Sequence, residues 1–290
     1  MSSPLFVVDH VSIAVPRLDA ALAFFRRHFP LEIGRQPSPG YSPDFNWCDF
    51  YLGDFKLELI EPVGEAGFVR RFLDQRGAGM HHWSIDLDGG LRDLVARMEA
   101  DGLRVVDRFD AGGGHETAFI SPRSAHGVLV QFWQVPGIVP EERSSHAAFT
   151  LRSGQCVHMK VDHVSIAVRD IDATLAFFHR YLPLTPGQSR HAGYDGSFEL
   201  VDFRINGYKV ELIQEIAGRP SFVGRFLERR GEGLHHISID IDDLDPYLAE
   251  IEADGVRVVD RFDMGNGWKT AFISPRSAYG VLIQFWQTPE

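Results

Sequence analysis

The chain is predicted to be an α+β protein: four βαβββ modules paired into two tandem lobes, each with a curved mixed sheet and a concave cleft. Three observations predict this. The octapeptide VDHVSIAV at Val8–Val15 recurs at Val161–Val168, and later landmarks keep the offset, which is 153 between His10 and His163, Glu58 and Glu211, and Gln131 and Gln284, and 154 between His82 and His236. Within each half, DHVSIAV and a helical stretch are echoed by HHWSIDL and another helical stretch. After each helical stretch come three runs with the alternation of strands.

The elements follow in order. The first module reads as a strand at Val8–Val15, a helix from about Leu18 to His28, and strands at Leu31–Gly34, Asn46–Leu52 and Phe55–Glu61. The second reads as His81–Leu87, a helix over Leu91–Ala100, then Leu103–Asp107, Thr117–Ser121 and Val128–Trp133. Leu18, Leu22 and Phe25 carry the i, i+4, i+7 stripe of an amphipathic helix, and Asp19 and Asp172 stand where the helix dipole favours an acid. Residues 136–160, rich in Pro, Ser and charge, read as a linker with one short strand near Ala147–Leu151. The expected domains are therefore 1–135 and 161–290.

Composition bounds the function. With 290 residues, 44% of them hydrophobic and 22 of them Phe, each half has enough apolar material for its own core. A formal net charge of −11, with no basic block, argues against nucleic acid as a partner. Cys48 and Cys156 are too few for a disulfide framework and lack metal-motif spacing. With no leader-like or membrane-length apolar run, a cytoplasmic protein is expected, with homodimer formation allowed.

Side chains alternate across a strand, so His10, Ser12 and Ala14 share one face while Val11, Ile13 and Val15 share the helix-packed one. The same parity groups His82, Ser84 and Asp86, sets Glu58 opposite Leu57 and Leu59, and sets Gln131 opposite Val130 and Phe132. Two such modules side by side offer His10, Glu58, His82 and Gln131 to one cavity if modules pair within a half, and the second half then offers His163, Glu211, His236 and Gln284. If modules swap between halves, His10 and Glu58 meet His236 and Gln284 instead, and two sites survive either way. Two imidazoles, a carboxylate and an amide oxygen suit Fe(II), Mn(II), Co(II), Ni(II) or Zn(II). A lone strand histidine is more often structural than a ligand. Four His-x-Ser-Ile copies of one parity shift that balance, and Glu211 repeating Glu58 in frame supports the carboxylate. Gln131 and Gln284 serve equally well as polar neighbours of the site. His81 and His235 have the wrong parity, and His115 and His126 become Trp268 and Tyr279, so none of these is expected to be a ligand. Tyr41, Phe50 and Trp133, with Tyr194, Phe203 and Trp286, are the expected aromatic lining.

The stretches DHVSIAVPRLDAALAFF, KLELIEPVG, FLDQRGAGMHHWSIDL, ADGLRVVD and FISPRSAHGVLVQF, with their repeats, resemble the vicinal oxygen chelate (glyoxalase/bleomycin resistance/dioxygenase) superfamily, and within it methylmalonyl-CoA epimerase. The resemblance implies paired βαβββ modules in two glyoxalase-like domains and a divalent metal chelated by two substrate oxygens. It carries the metal-binding histidines onto His10, His82, His163 and His236, and the Glu/Gln ligand onto Glu58 and Glu211. Where the epimerase has a last-strand Glu, this chain has Gln131 and Gln284. No Glu stands in Gly40–Asp44 or Gly193–Asp195 to act as a second base. An amide has no useful basicity. Keeping two His and one carboxylate resembles the facial triad of Fe(II) oxygenases, and the four-module length resembles extradiol and hydroxyphenylpyruvate-type dioxygenases.

The leading expectation is thus a metal-dependent dioxygenase-like enzyme, with Fe(II) the favoured metal. Its substrate would be a small oxygen-chelating molecule: a catechol, a 2-oxo acid or an enolisable carbonyl compound. Glu58 and Glu211 would be its catalytic carboxylates. The alternatives are an epimerase, isomerase or lyase, and a non-catalytic small-molecule binder.

Overall fold

The computed structural model describes residues 5–140 and 142–289. The first half runs β1 (Phe6–Ala14), α1 (Leu18–His28), β2 (Glu32–Pro39), β3 (Phe45–Leu52), β4 (Phe55–Pro62), α2 (Phe68–Arg76), β5 (Gly79–Leu87), α3 (Leu91–Ala100), β6 (Val105–Gly112), β7 (His115–Ile120) and β8 (Val130–Gln134). A short β9 (Ala147–Thr150) precedes the second half, which runs β10 (Cys156–Ala167), α4 (Ile171–Tyr181), β11 (Thr185–Pro186), β12 (His191–Ala192), β13 (Phe198–Ile205), β14 (Tyr208–Glu215), α5 (Phe222–Arg230), β15 (Gly233–Ile241), α6 (Leu244–Ala253), β16 (Val258–Gly265), β17 (Trp268–Ile273) and β18 (Leu282–Gln287).

Each half contributes one mixed sheet. The first has the order β2-β3-β4-β1-β5-β8-β7-β6, and the second β11-β13-β14-β10-β15-β18-β17-β16, with β12 on β13 and β9 on β10. The crossover helices α1 and α3 put β1 parallel to β4 and β5 parallel to β8, while the hairpins β3–β4 and β7–β8 are antiparallel. Each sheet is thus built from the two βαβββ modules of one half, giving an α+β fold with two mixed sheets.

The expected helix at α1 forms because its stripe of Leu18, Ala21, Leu22 and Phe25 is buried. In α4 the Asp170 carboxylate caps the first turn by accepting from the Ala173 amide. Two helices were not expected from the sequence, α2 and α5. Their signals are short but present: Phe68, Val69, Phe72 and Leu73 on one stripe between Gly67 and Gly77, and Ser221 capping the Gly224 amide at 2.9 Å. Strand β2 is longer than expected because shifts of register against β3 let it bend past Asp49, whose carboxylate accepts from the Arg35 amide at 2.7 Å. Residues 156–160, expected as linker, form the start of β10, and Cys156 to Met159 pair with β9.

Backbone contacts divide the chain into two compact units: Met1–Asp9, His82–Glu141 and His163–His235 form one, and His10–His81, Glu142–Asp162 and His236–Glu290 the other. The interior of each unit draws on both halves of the sequence. In the first, Trp83 meets Phe178 edge to face at 5.9 Å, and Asp101 accepts from Arg180 and from the Tyr181 hydroxyl at 2.7 Å. In the second, Phe29 stacks on Phe285 at 6.3 Å, Tyr247 donates to the His28 carbonyl at 3.0 Å, and Arg27 grips Asp254 through two hydrogen bonds. Each aromatic ring buried this way contributes about 1.5–3 kcal/mol.

Candidate metal centre

Register puts the chemistry-bearing side chains on common faces. Ser12 is the Cα partner of Glu58 in the parallel β1–β4 ladder, so Glu58 projects from the face that carries His10 and Ser12. The repeat places Ser165 beside Glu211. His10 Nε2 lies 3.7 Å from Glu58 Oε1, and His163 Nε2 lies 3.4 Å from Glu211 Oε1.

In each half a second imidazole joins the pair. The potential ligand atoms of His10, Glu58 and His82 all lie within 4.8 Å of one another, as do those of His163, Glu211 and His236. Donors sharing one ion at about 2.0–2.2 Å stand roughly 3–4 Å apart. Both His–Glu separations fall in that range. The histidines are largely buried, with exposures of 9% for His10, 5% for His82 and His163 and 3% for His236. A carboxylate and two imidazoles held out of water form a donor set that a divalent cation satisfies better than any of the three satisfies another.

The glutamines stand beside this set with a defined orientation. Gln131 is the Cα partner of Ser84, on the face of His82, and its Nε2 donates to Thr117 Oγ1 at 3.2 Å. Thr117 in turn donates to the Phe132 carbonyl at 2.9 Å. With its one proton committed, the hydroxyl can only accept, so the amide group faces Thr117 and the carbonyl oxygen is the end left for a ligand. Gln284 repeats the relay through Thr270, with distances of 3.3 and 2.8 Å.

The expected aromatic lining divides. Trp133 lies two residues beyond Gln131 on the same face and meets Phe109 at 5.7 Å, and Trp286 meets Trp268 at 6.4 Å. Tyr41 is 52% exposed and leans on Phe45, while Tyr194 stacks on Phe222 at 6.5 Å. Phe50 and Phe203, expected in the lining, project from the opposite face to Glu58 and Glu211. Phe50 pairs with Leu57 rather than Glu58, and its buried ring meets Phe25 of α1 at 5.4 Å; Phe203 meets Phe178 of α4 at 5.7 Å. Their strands are apolar on both faces, so only register against β4 and β14 assigns the side.

The unexpected helices α2 and α5 cover the part of the carboxylate-bearing face beside Glu58 and Glu211. Phe45 and Ile60 share the Glu58 face, and α2 covers them with Val69, Phe68, Phe72 and Leu73; α5 covers Phe198 and Ile213 likewise. His81 packs on Phe72 at 4.8 Å and His235 on Phe226 at 4.7 Å. Burial pushes both imidazoles down to about 4, so they are neutral packing groups near pH 7. His126 hydrogen-bonds the Thr174 hydroxyl at 3.0 Å and packs on Phe177, and its counterpart Tyr279 packs on Phe24 at 5.8 Å.

Comparison with known proteins agrees with this architecture. The family model described as Glyoxalase/Bleomycin resistance protein/Dioxygenase superfamily matches twice, over residues 9–119 and 162–272. The uncharacterised protein YqjC of Bacillus subtilis is 34% identical over 132 residues, covering 45% of this chain and 93% of that protein. The ethylmalonyl-CoA/methylmalonyl-CoA epimerase of Cereibacter sphaeroides is 31% identical over 137 residues, covering 44% and 97%. Among solved structures, a mutant of 4-hydroxymandelate synthase from Streptomyces coelicolor superposes over 98% of this chain and 93% of its own, with a TM-score of 0.65 and 16% identity, a likeness of fold. Both halves of the chain thus belong to the glyoxalase/bleomycin resistance protein/dioxygenase superfamily.

Proposed function

We propose that the protein is a metal-dependent, dioxygenase-like enzyme acting on a small oxygen-chelating substrate such as a catechol, a 2-oxo acid or an enolisable carbonyl compound. The supporting observation is the gathering of two imidazoles and one carboxylate in each half: His10, His82 and Glu58, and His163, His236 and Glu211. On this reading the three hold a divalent cation, Fe(II) by preference, and Gln131 or Gln284 is a fourth ligand or a hydrogen-bond partner of substrate. The bound metal would supply Lewis acidity and a template for two substrate oxygens. Glu58 and Glu211 are the carboxylates on which activity depends. Trp133 and Trp286, with Tyr41 and Tyr194, offer apolar contact to the rest of the substrate. Each half, 1–135 and 161–290, holds one centre, joined through 136–160. Two unpaired cysteines, Cys48 and Cys156, accord with a reducing cytoplasmic setting, and among the described residues no helix is long and apolar enough to cross a membrane.

A second reading, epimerisation or isomerisation by proton transfer, is favoured by the sequence relatives that are methylmalonyl-CoA epimerases. Against it, the last-strand residue is an amide in both halves, and amides do not move protons.

Anaerobic loading with Fe(II) followed by elemental analysis is expected to give about two metals per chain, and about one in Glu58→Ala. Oxygen uptake with catechol or 4-hydroxyphenylpyruvate, lost in the Glu58→Ala/Glu211→Ala double variant, supports the oxygenase. Deuterium entering methylmalonyl-CoA from D2O without oxygen uptake transfers the assignment to the epimerase. Ligand binding indifferent to metal and to both substitutions makes the protein a binder.

A further inference from the structure

The serine of each His-x-Ser-Ile tetrapeptide has no part in the ligand set, yet it occupies a recurrent position. Ser12 is the register partner of Glu58, Ser84 of Gln131, Ser165 of Glu211 and Ser238 of Gln284. In every module, the side chain that faces the candidate ion from the last strand has a serine on the adjoining strand, one ladder spacing away and on the same face.

Three of these hydroxyls are also anomalous. Ser12, Ser165 and Ser238 are each 0% exposed, and their Oγ atoms have no hydrogen-bond partner. A buried hydroxyl without a partner costs free energy, and alanine at the same position would not. The repetition of that cost beside each carboxylate points to a partner that appears when the centre is loaded. Glu58 directs Oε1 toward His10 at 3.7 Å. A carboxylate that gives one oxygen to a cation keeps a second, charged oxygen that accepts strongly, and carboxylates bound to metals are themselves hydrogen-bonded.

Resting on the metal-centre reading above, we propose that Ser12 and Ser165 are positioning residues. Their hydroxyls donate to the non-ligating oxygen of Glu58 and Glu211 once a divalent cation is bound, holding each carboxylate in its ligating rotamer. Ser84 and Ser238 face neutral amides, which accept less strongly, so their contribution to affinity is smaller.

The test uses the full-length protein and Co(II), followed by its visible absorption and by calorimetry. Ser12→Ala/Ser165→Ala is expected to weaken Co(II) binding about ten-fold or more and to change the Co(II) spectrum. The melting temperature of the metal-free variant should stay the same or rise, because the hydroxyl removed has no partner there. Ser84→Ala/Ser238→Ala should weaken binding less. Unchanged Co(II) affinity in Ser12→Ala/Ser165→Ala overturns the proposal while leaving the metal centre standing. So does a fall in the metal-free melting temperature without a spectral change, which would make the serines structural. Failure of the unsubstituted protein to bind Co(II) at all overturns the metal-centre reading, and this proposal with it.

Discussion

Replacing Gly280 by alanine tests how closely the turn before β18 approaches the start of β5. Gly280 adopts φ +81, and an added Cβ would land on the carbonyl oxygen of Ala78, which is backbone and cannot swing aside. Gly127 stands in the same relation to the carbonyl of Glu232, with φ +79. Two costs add in Gly280→Ala: about 1–2 kcal/mol for a left-handed alanine, and about 1–3 kcal/mol for forcing packed backbone apart. Gly255 separates them, because it has the same φ of +81 but nothing within 4 Å of the added Cβ. Gly255→Ala should therefore pay only the first cost, and Gly280→Ala both, about 2–5 kcal/mol in all. Urea unfolding of the two variants, followed by tryptophan fluorescence, measures the difference. Equal destabilisation by the two substitutions would refute the close approach.

Acid stability should depend on the two helix-end carboxylates. Hydrogen bonds from Arg180 and Tyr181 hold Asp101 down to about 2, and those from Arg27 and Arg152 hold Asp254 lower still. Because these folded-state values are depressed, the stabilisation is complete above the unfolded value of about 3.8 and is lost as pH falls through the folded values. Asp101→Asn/Asp254→Asn should unfold at higher pH and show a shallower loss of stability between pH 4 and 2 by circular dichroism. Burial pushes the Cys48 thiol up to about 12, whereas Cys156 is exposed. A thiol reagent should accordingly label one cysteine in the native protein and two after denaturation; two fast native reactions would contradict the burial. Tyr247→Phe, which strips the buried donor from the His28 carbonyl, should cost about 1–3 kcal/mol in urea unfolding.

Repetition made most of the site legible in the sequence. One His-x-Ser-Ile tetrapeptide proves little, but four copies of one parity, with Glu58 and Glu211 in frame, specify which side chains share a face, since strand alternation is a local property. The amphipathic stripe of α1 and the turn-bounded runs of β7 and β8 are equally local. Local pattern fails where two faces look alike. Trp47, Cys48, Phe50 and Tyr51 are apolar on both parities of β3, so the sequence offers Phe50 to the cleft although pairing with Leu57 turns it toward α1. It fails again at α2, whose nine residues give a stripe too short to stand out.

What the sequence by itself determined, then, is the duplicated α+β plan and the faces on which His10, Glu58, His82 and Gln131 and their repeats lie, because both follow from periodicity along the chain. Tertiary structure alone decided the rest. It brought three potential ligand atoms within 4.8 Å in each half, turned each glutamine through a threonine relay, and built each compact interior from both halves. Those outcomes depend on register between strands and on helix faces meeting residues distant in sequence, and neither is encoded in the period of any one segment.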